Sequence, residues 1–115
     1  MKLLIVGSRS IEDFDLSPYI PADVDLIISG GAGGVDTIAE RYADKNNISK
    51  LILRPDYKRY GRYAPLKRNE KMVDLADCVL VIWAGKSKGT FYTMQYSEKC
   101  NKQLTVLKIP SGEAL

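Results

Sequence analysis

The amino-acid sequence predicts an α/β fold, a single Rossmann-like, three-layer domain around a parallel sheet of about five strands. The 115 residues are enough for one domain with its own core. Several short runs are apolar without alternation, which is typical of strands buried on both faces of a parallel sheet. Segments of helical periodicity separate these runs, and that alternation predicts helices packed against the sheet.

The apolar runs are the predicted strands, and they cover residues 3–6, 26–29, 51–53, 79–83 and 104–109. Right-handed crossovers between parallel strands favour the order 3-2-1-4-5. In this order the first and fourth strands are neighbours, and the direction of winding reverses between them. Ligands of such sheets bind beyond the carboxyl ends of the strands at this point.

Three helices are predicted between the later strands. The first begins near Val35 and ends at 46–47, and Pro65 suits the first turn of the second. The third covers about 90–101. A shorter, weaker helix is predicted at 13–20, where prolines limit its length.

The composition excludes several kinds of chemistry. The chain has no histidine, and its two cysteines, Cys78 and Cys100, are far apart. Ser-His and Cys-His catalysis, a disulfide framework and ordinary zinc sites are therefore excluded, and no metal is expected. No run is long enough for a signal peptide or a membrane span, so we expect a cytoplasmic protein without membrane partners.

The segment IISGGAGGVDTIAERYA, residues 27–43, connects the second strand to the first helix through four glycines. Glycines let backbone N–H groups approach a ligand closely, and the N-terminus of a helix attracts phosphate. A tight turn alone needs one or two glycines. The segment is neither a Walker loop nor a GxGxxG dinucleotide motif. We therefore expect a phosphate-bearing nucleotide-like ligand and no other cofactor.

The loops that follow the first, second and fourth predicted strands are rich in glycines, hydroxyl groups or bases. Because the carboxyl ends of these strands lie at the same edge of the sheet, we expect the three loops to form one site. The predicted ligand-binding residues of these loops are Gly7, Ser8, Arg9, Ser29, Gly30, Gly31, Ala32, Gly33, Gly34, Gly85, Ser87, Lys88, Gly89 and Thr90. Either Ser87 or Thr90 could cap the third helix.

Four further residues are candidates on the helices. Asp36 either offsets the dipole of the first helix or binds a ribose or base, and Glu40 lies one turn later. Asn69 falls on the apolar stripe of the second helix, where a buried amide needs partners. With Arg68 it suggests that this helix borders a polar crevice. A surface ion pair is the alternative role of Arg68. The catalytic residues stay unknown, with Arg68, Asp36 and Glu40 as candidates.

Residues 54–71 contain seven basic and two acidic side chains, whereas residues 12–25 contain five acidic side chains and no base. Within the basic segment, tyrosines at 57, 60 and 63 alternate with bases. Three interpretations stay open: a surface for single-stranded nucleic acid, a lid that stacks on one base, or aromatic packing at the domain edge.

The sequence resembles the SLOG superfamily, the Rossmann-like group that includes DprA/Smf and the lonely-guy phosphoribohydrolases, and within it the YspA-type stand-alone branch. The resemblance rests on GSRSI (7–11), ISGGAGGVDTIAERYA (28–43), RNEKMVDLAD (68–77) and WAGKSKGT (83–90). It implies a nucleotide or nucleotide-derived ligand. The resemblance to DprA implies single-stranded nucleic-acid binding as an alternative. A homo-oligomer stays open.

The lonely-guy enzymes cleave the N-glycosidic bond of nucleoside 5′-monophosphates. The resemblance implies such a phosphoribohydrolase as a further alternative function. Their Arg-Lys-x-x-Met motif is similar to residues 68–72, which assigns a phosphate contact to Arg68. Their Pro-Gly-Gly-x-Gly-Thr-x-x-Glu motif is matched only at Gly89 and Thr90. Thr93 replaces the catalytic glutamate, so we expect a ligand-binding domain, such as a sensor of a nucleotide signal, or a weak nucleotide-processing enzyme.

Overall fold

Five parallel strands form one sheet in the computed structural model, which describes residues 1–109. The strands are β1 (Lys2–Gly7), β2 (Leu26–Ser29), β3 (Ser49–Ile52), β4 (Cys78–Trp83) and β5 (Gln103–Lys108). Their order is β3-β2-β1-β4-β5, and all four pairings are parallel. The predicted fold class and strand order are confirmed.

Four helices connect the later strands: α1 (Val35–Lys45), α2 (Tyr57–Tyr60), α3 (Ala64–Leu75) and α4 (Lys88–Lys99). Pro65 lies in the first turn of α3, as predicted. The predicted helix at 13–20 is wrong, because only one 3-10 turn forms there, at Ser17–Tyr19. Pro18 lies within that turn and Pro21 follows it, and both lack the N–H group that a longer helix would need.

Alternate residues of the central strands face two separate apolar layers. One layer packs Leu3, Ile5 and Ile82 against α1. The other packs Leu4 and Val81 against α3. The helices therefore cover both faces of the sheet, which gives the three layers of a Rossmann-like fold.

The two edge strands are less buried than their apolar sequences predict. Leu51 of β3 is 39% exposed, and Val106 of β5 is 37% exposed. The prediction that residues 51–53 are buried on both faces is therefore wrong. An edge strand has a neighbour on one side only, and the helices cover mainly the central strands.

Trp83, the only tryptophan of the chain, ends β4. Its ring lies 5.7 Å from that of Phe91 between centroids, and the ammonium nitrogen of Lys108 lies 5.8 Å from the Trp83 ring centre. The loop that leads into α4 starts directly after it. Within residues 1–109, no helix is both long and apolar enough to span a membrane.

Candidate functional site

A cavity of about 280 Å³ lies beyond the carboxyl ends of the central strands, where the strand order reverses. Its walls come from the end of β1, the glycine loop with α1, helix α3 and the first turns of α4. The lining residues are Val6, Gly7, Arg9, Ala32, Asp36, Pro65, Leu66, Arg68, Asn69, Met72, Ser87, Gly89, Thr90 and Thr93. Three segments that the sequence predicts to form one site therefore meet at one cavity.

The glycine loop is shaped mainly by contacts within the protein. Gly34 has φ 65° and ψ −124°, a conformation that side chains oppose. A Cβ atom there would lie 2.4 Å from the carbonyl oxygen of Ser8. Gly31 also has positive φ, 70°, and a Cβ atom on it would lie 2.8 Å from Arg54. These two glycines are needed by the fold itself.

The other two glycines of the loop differ in their surroundings. A Cβ atom on Gly30 would lie 2.8 Å from Nη1 of Arg68, so this glycine makes room for the arginine. A Cβ atom on Gly33 would meet nothing within 4 Å. Gly33 thus faces open space and does not line the cavity.

Ser8 joins the ends of β1 and β4. Its hydroxyl oxygen accepts a hydrogen bond from the backbone N–H of Ala84 at 2.9 Å, and its own N–H donates to the carbonyl oxygen of Ile82 at 3.1 Å. Gly7 permits this approach, since a Cβ atom on it would lie 2.2 Å from the same carbonyl oxygen. Ser8 therefore fixes the floor of the site through the backbone.

Ser29 braces the glycine loop from beneath and does not line the cavity. It is fully buried, and its hydroxyl donates to Oε2 of Glu40 at 3.0 Å. The hydroxyl oxygen of Ser29 also accepts a hydrogen bond from the N–H of Gly31 at 3.3 Å. Glu40 is thus engaged in holding the loop, and the structure places it behind the cavity wall.

Asp36 is the carboxylate of the cavity wall. The residue is 8% exposed, and its Oδ2 accepts a hydrogen bond from the N–H of Ala32 at 3.0 Å. Burial raises the pKa of Asp36, and this effect exceeds the opposing influences of the Ala32 hydrogen bond and of the Arg68 and Arg9 charges. Among residues 1–109, no side chain or backbone group donates to its Oδ1, so this oxygen is available to a ligand hydroxyl or amino group.

Arg68 ties three parts of the site together. Its Nη1 donates to the carbonyl oxygens of Gly30 at 2.6 Å and Leu53 at 3.1 Å, and its Nε donates to Oδ1 of Asn69 at 2.8 Å. Burial lowers the pKa of Arg68, although an arginine stays charged near neutral pH. Within the described chain Nη2 makes no hydrogen bond. The guanidinium therefore holds the loop and keeps one donor group for a ligand.

The N-terminus of α4 forms the opposite wall. Ser87 caps the helix, because its hydroxyl oxygen accepts a hydrogen bond from the N–H of Thr90 at 3.2 Å. Thr93 is buried, and its hydroxyl donates to the carbonyl oxygen of Gly89 at 3.0 Å. Gly85 and Lys88 lie in this region but not on the cavity wall.

The sequence did not single out the apolar wall of the cavity, which consists of Val6, Pro65, Leu66 and Met72. Their periodicity indicates core positions. These four residues lie near the end of β1 and on α3, where the apolar face extends past the core and borders the cavity.

The comparisons with known proteins give one relative by name. The chain is 34% identical to the Gene 61 protein of Mycobacterium phage D29 over an alignment of 115 residues. The alignment covers 85% of this chain and 89% of the phage protein. The chain belongs to the family of this Gene 61 protein. No family model matches the chain, and no solved structure matches it.

The name of the Gene 61 family states no ligand or reaction, so the site itself carries the functional argument. The N-terminal ends of α1 and α4 both face the cavity, and two arginines, Arg9 and Arg68, line it. Helix N-termini and guanidinium groups stabilise anions. Asp36 adds a hydrogen-bond acceptor, and the apolar wall can cover a flat ring.

Proposed function

We propose that this member of the Gene 61 family binds a nucleotide or a nucleotide-derived ligand in the cavity. The observation that carries the proposal is the position of Arg9, Arg68 and the first turns of α1 and α4 around one cavity. Phosphate accepts charge-assisted hydrogen bonds from guanidinium groups, and the partial positive charge of a helix N-terminus stabilises it. Asp36 then accepts a hydrogen bond from a ribose hydroxyl or a base amino group.

The size of the cavity limits what it encloses. Ligand sites for small molecules have volumes of roughly 300–1,000 Å³, and this cavity, with about 280 Å³, lies just below that range. It suits one phosphorylated nucleoside rather than a complete dinucleotide cofactor.

Filling the cavity from α4 tests the proposal. In Gly89→Val the new side chain enters the cavity, and the fold should persist, since a Cβ atom there meets its nearest neighbour, Nδ2 of Asn69, at 4.0 Å. We expect this variant to lose binding of nucleoside 5′-monophosphates in calorimetric titrations, with an unchanged circular dichroism spectrum. Unchanged affinity would place the ligand elsewhere.

Gly33→Val is the matched variant, because it adds the same side chain in open space outside the cavity wall. Binding that persists in this variant shows that the cavity alone holds the ligand. Loss in both variants shows that the phosphate also contacts the glycine loop, as the sequence predicts. Retention in both would contradict the proposal.

We expect binding without efficient cleavage of the glycosidic bond. Such cleavage develops positive charge on the sugar, which a nearby carboxylate stabilises. Thr93 cannot supply that charge, and its hydroxyl is engaged with Gly89. Release of free base from a panel of nucleoside 5′-monophosphates should therefore stay near background. Robust turnover that Asp36→Asn abolishes would instead make Asp36 the catalytic carboxylate.

A further inference from the structure

A second concave surface, here called the basic groove, adjoins the cavity between the end of β3, α2 and α3. Its volume is about 390 Å³, and its basic side chains are Arg54, Arg59, Lys67, Arg68 and Lys71. Arg68 lines both the groove and the cavity. The two spaces therefore share the Arg68 side chain as part of their walls.

The acidic residues of the groove are engaged within the protein. Asp56 accepts a hydrogen bond from the backbone N–H of Arg59 at 3.2 Å, and Asp74 accepts one from the hydroxyl of Tyr96 at 2.9 Å. Glu70 bonds to Tyr92 and lies 3.7 Å from the ammonium of Lys67. The five basic side chains still outnumber the three carboxylates, so the groove carries net positive charge and favours an anionic occupant.

Exposed tyrosines stand beside these charges. Tyr57, Tyr60 and Tyr63 are 61%, 37% and 54% exposed. The guanidinium groups of Arg59 and Arg62 each lie 5.2 Å from the centre of the following tyrosine ring. All three side chains lie outside the buried core. Exposed rings beside cations suit the stacking of bases next to phosphates.

We propose that the cavity and the basic groove form one site for the end of a single-stranded nucleic acid. The terminal phosphorylated nucleotide enters the cavity, and the next nucleotides lie along the groove with a base against Tyr60. This inference rests on the proposed function, because it assigns the cavity to the first nucleotide. The small volume of the cavity agrees with it, since only one nucleotide needs to be enclosed.

An acidic protein surface is the competing occupant. Residues 12–25 of a second copy carry five acidic side chains and no base, and they could pair with the groove by charge alone. Arg68, which lines both spaces, and the exposed tyrosines beside the groove favour the nucleic acid. Pairing between copies makes no use of that cavity.

Linear and circular strands separate end binding from general polyanion binding. The probes are linear oligothymidylates with a 5′-phosphate, a 3′-phosphate or no phosphate, a circular strand of the same length, and a 5′-phosphorylated oligouridylate. We expect one phosphorylated linear strand to bind at least tenfold more tightly than the circle. The preferred phosphate gives the polarity, and the oligouridylate shows whether RNA is accepted. Equal affinity for the circle would overturn the inference.

Variants of the groove separate this inference from the proposed function. Tyr60→Ser should weaken the linear strand roughly tenfold, the scale of one lost stacking contact. Tyr19→Ser is the matched control, because Tyr19 is 42% exposed and lies outside the groove. Both variants should bind a nucleoside monophosphate like the wild type. If Tyr60→Ser binds strands normally, the groove is not the path of the strand and the inference is wrong.

Charge variants give a second readout. Arg59→Gln with Lys71→Gln should lower strand affinity and reduce the slope of log K against log salt by about 1.4, or about 0.7 for each lost phosphate contact. Lys99→Gln, an exposed change on α4, should leave the slope unaltered. Wild-type strand affinity in the double variant would overturn the inference. It would also be overturned if the protein bound no strand but self-associated in a salt-sensitive way that requires Arg59 and Lys71. Loss of mononucleotide binding in Gly89→Val would still support the proposed function.

Discussion

Burial of Asp36 in the cavity wall disfavours its ionised carboxylate. The pKa of Asp36 is raised, with burial as its largest cause. A buried carboxylate with a raised pKa lowers the stability of the fold at neutral pH, so stability alone does not account for it. Residues of this kind are concentrated at functional sites, where binding requires groups that cost stability.

We expect Asp36→Asn to stabilise the protein at neutral pH. Below about pH 3.9, the ordinary pKa of aspartate, the carboxyl group is neutral in the folded and the unfolded chain, and the two proteins should have similar free energies of unfolding. As the pH rises through the raised pKa of Asp36, the wild type loses stability and the variant does not. Urea unfolding between pH 3 and 8 measures the difference. A variant that is less stable than the wild type at pH 7 would show that the ionised carboxylate stabilises the fold.

Arg68→Ala should lower both stability and phosphate affinity. The carbonyl oxygens of Gly30 and Leu53 lose their charged donor, which should cost about 1.5–3 kcal/mol of unfolding free energy. A monophosphate should bind more weakly by a similar amount, whereas the matching nucleoside should be less affected. Arg68→Lys keeps the charge but not the forked geometry. Equal losses for nucleotide and nucleoside would contradict a phosphate contact.

Sequence position alone predicted that Arg68 and Asn69 border the crevice, because an amide on an apolar helix stripe needs polar surroundings. Their mutual hydrogen bond could not be predicted, and neither could the two carbonyl oxygens that Arg68 contacts. Those contacts depend on how Gly30 and Leu53 are placed by loops 15 to 38 residues away in the sequence.

At the scale of elements, the glycine loop has two kinds of glycine that the sequence cannot distinguish. All four positions suit close contact with a phosphate. The structure instead assigns Gly34 to the protein, where it lets α1 begin against the backbone of Ser8. Spacing and composition carry no information on which glycine meets the ligand and which meets the chain.

We expect Gly34→Ala to destabilise the fold while Gly33→Ala does not. The conformation of Gly34 alone should cost alanine about 1–3 kcal/mol, and the overlap with the Ser8 oxygen adds to this cost. Gly33→Ala should change the free energy of unfolding by no more than about 0.5 kcal/mol. Chemical denaturation of the pair measures both. Similar losses in the two variants would mean that the loop adopts another conformation.

For the whole molecule, the strand order was predicted because buried runs, helical segments and right-handed crossovers permit few topologies. The shared site followed from it, since the carboxyl ends of neighbouring parallel strands lie together. Exposure at the edges was not predicted. The runs around Leu51 and Val106 are apolar like the central strands, and only the positions of the helices determine which strands they cover.

The position of Trp83 makes the protein its own optical reporter. A single indole gives an emission signal from one place, and here that place directly precedes the loop into α4, against Phe91 and Lys108. A ligand that orders this loop changes the ring's surroundings and hence its fluorescence. Titrations can therefore be followed without a dye or a label, and the signal should vanish in Gly89→Val when the cavity is filled.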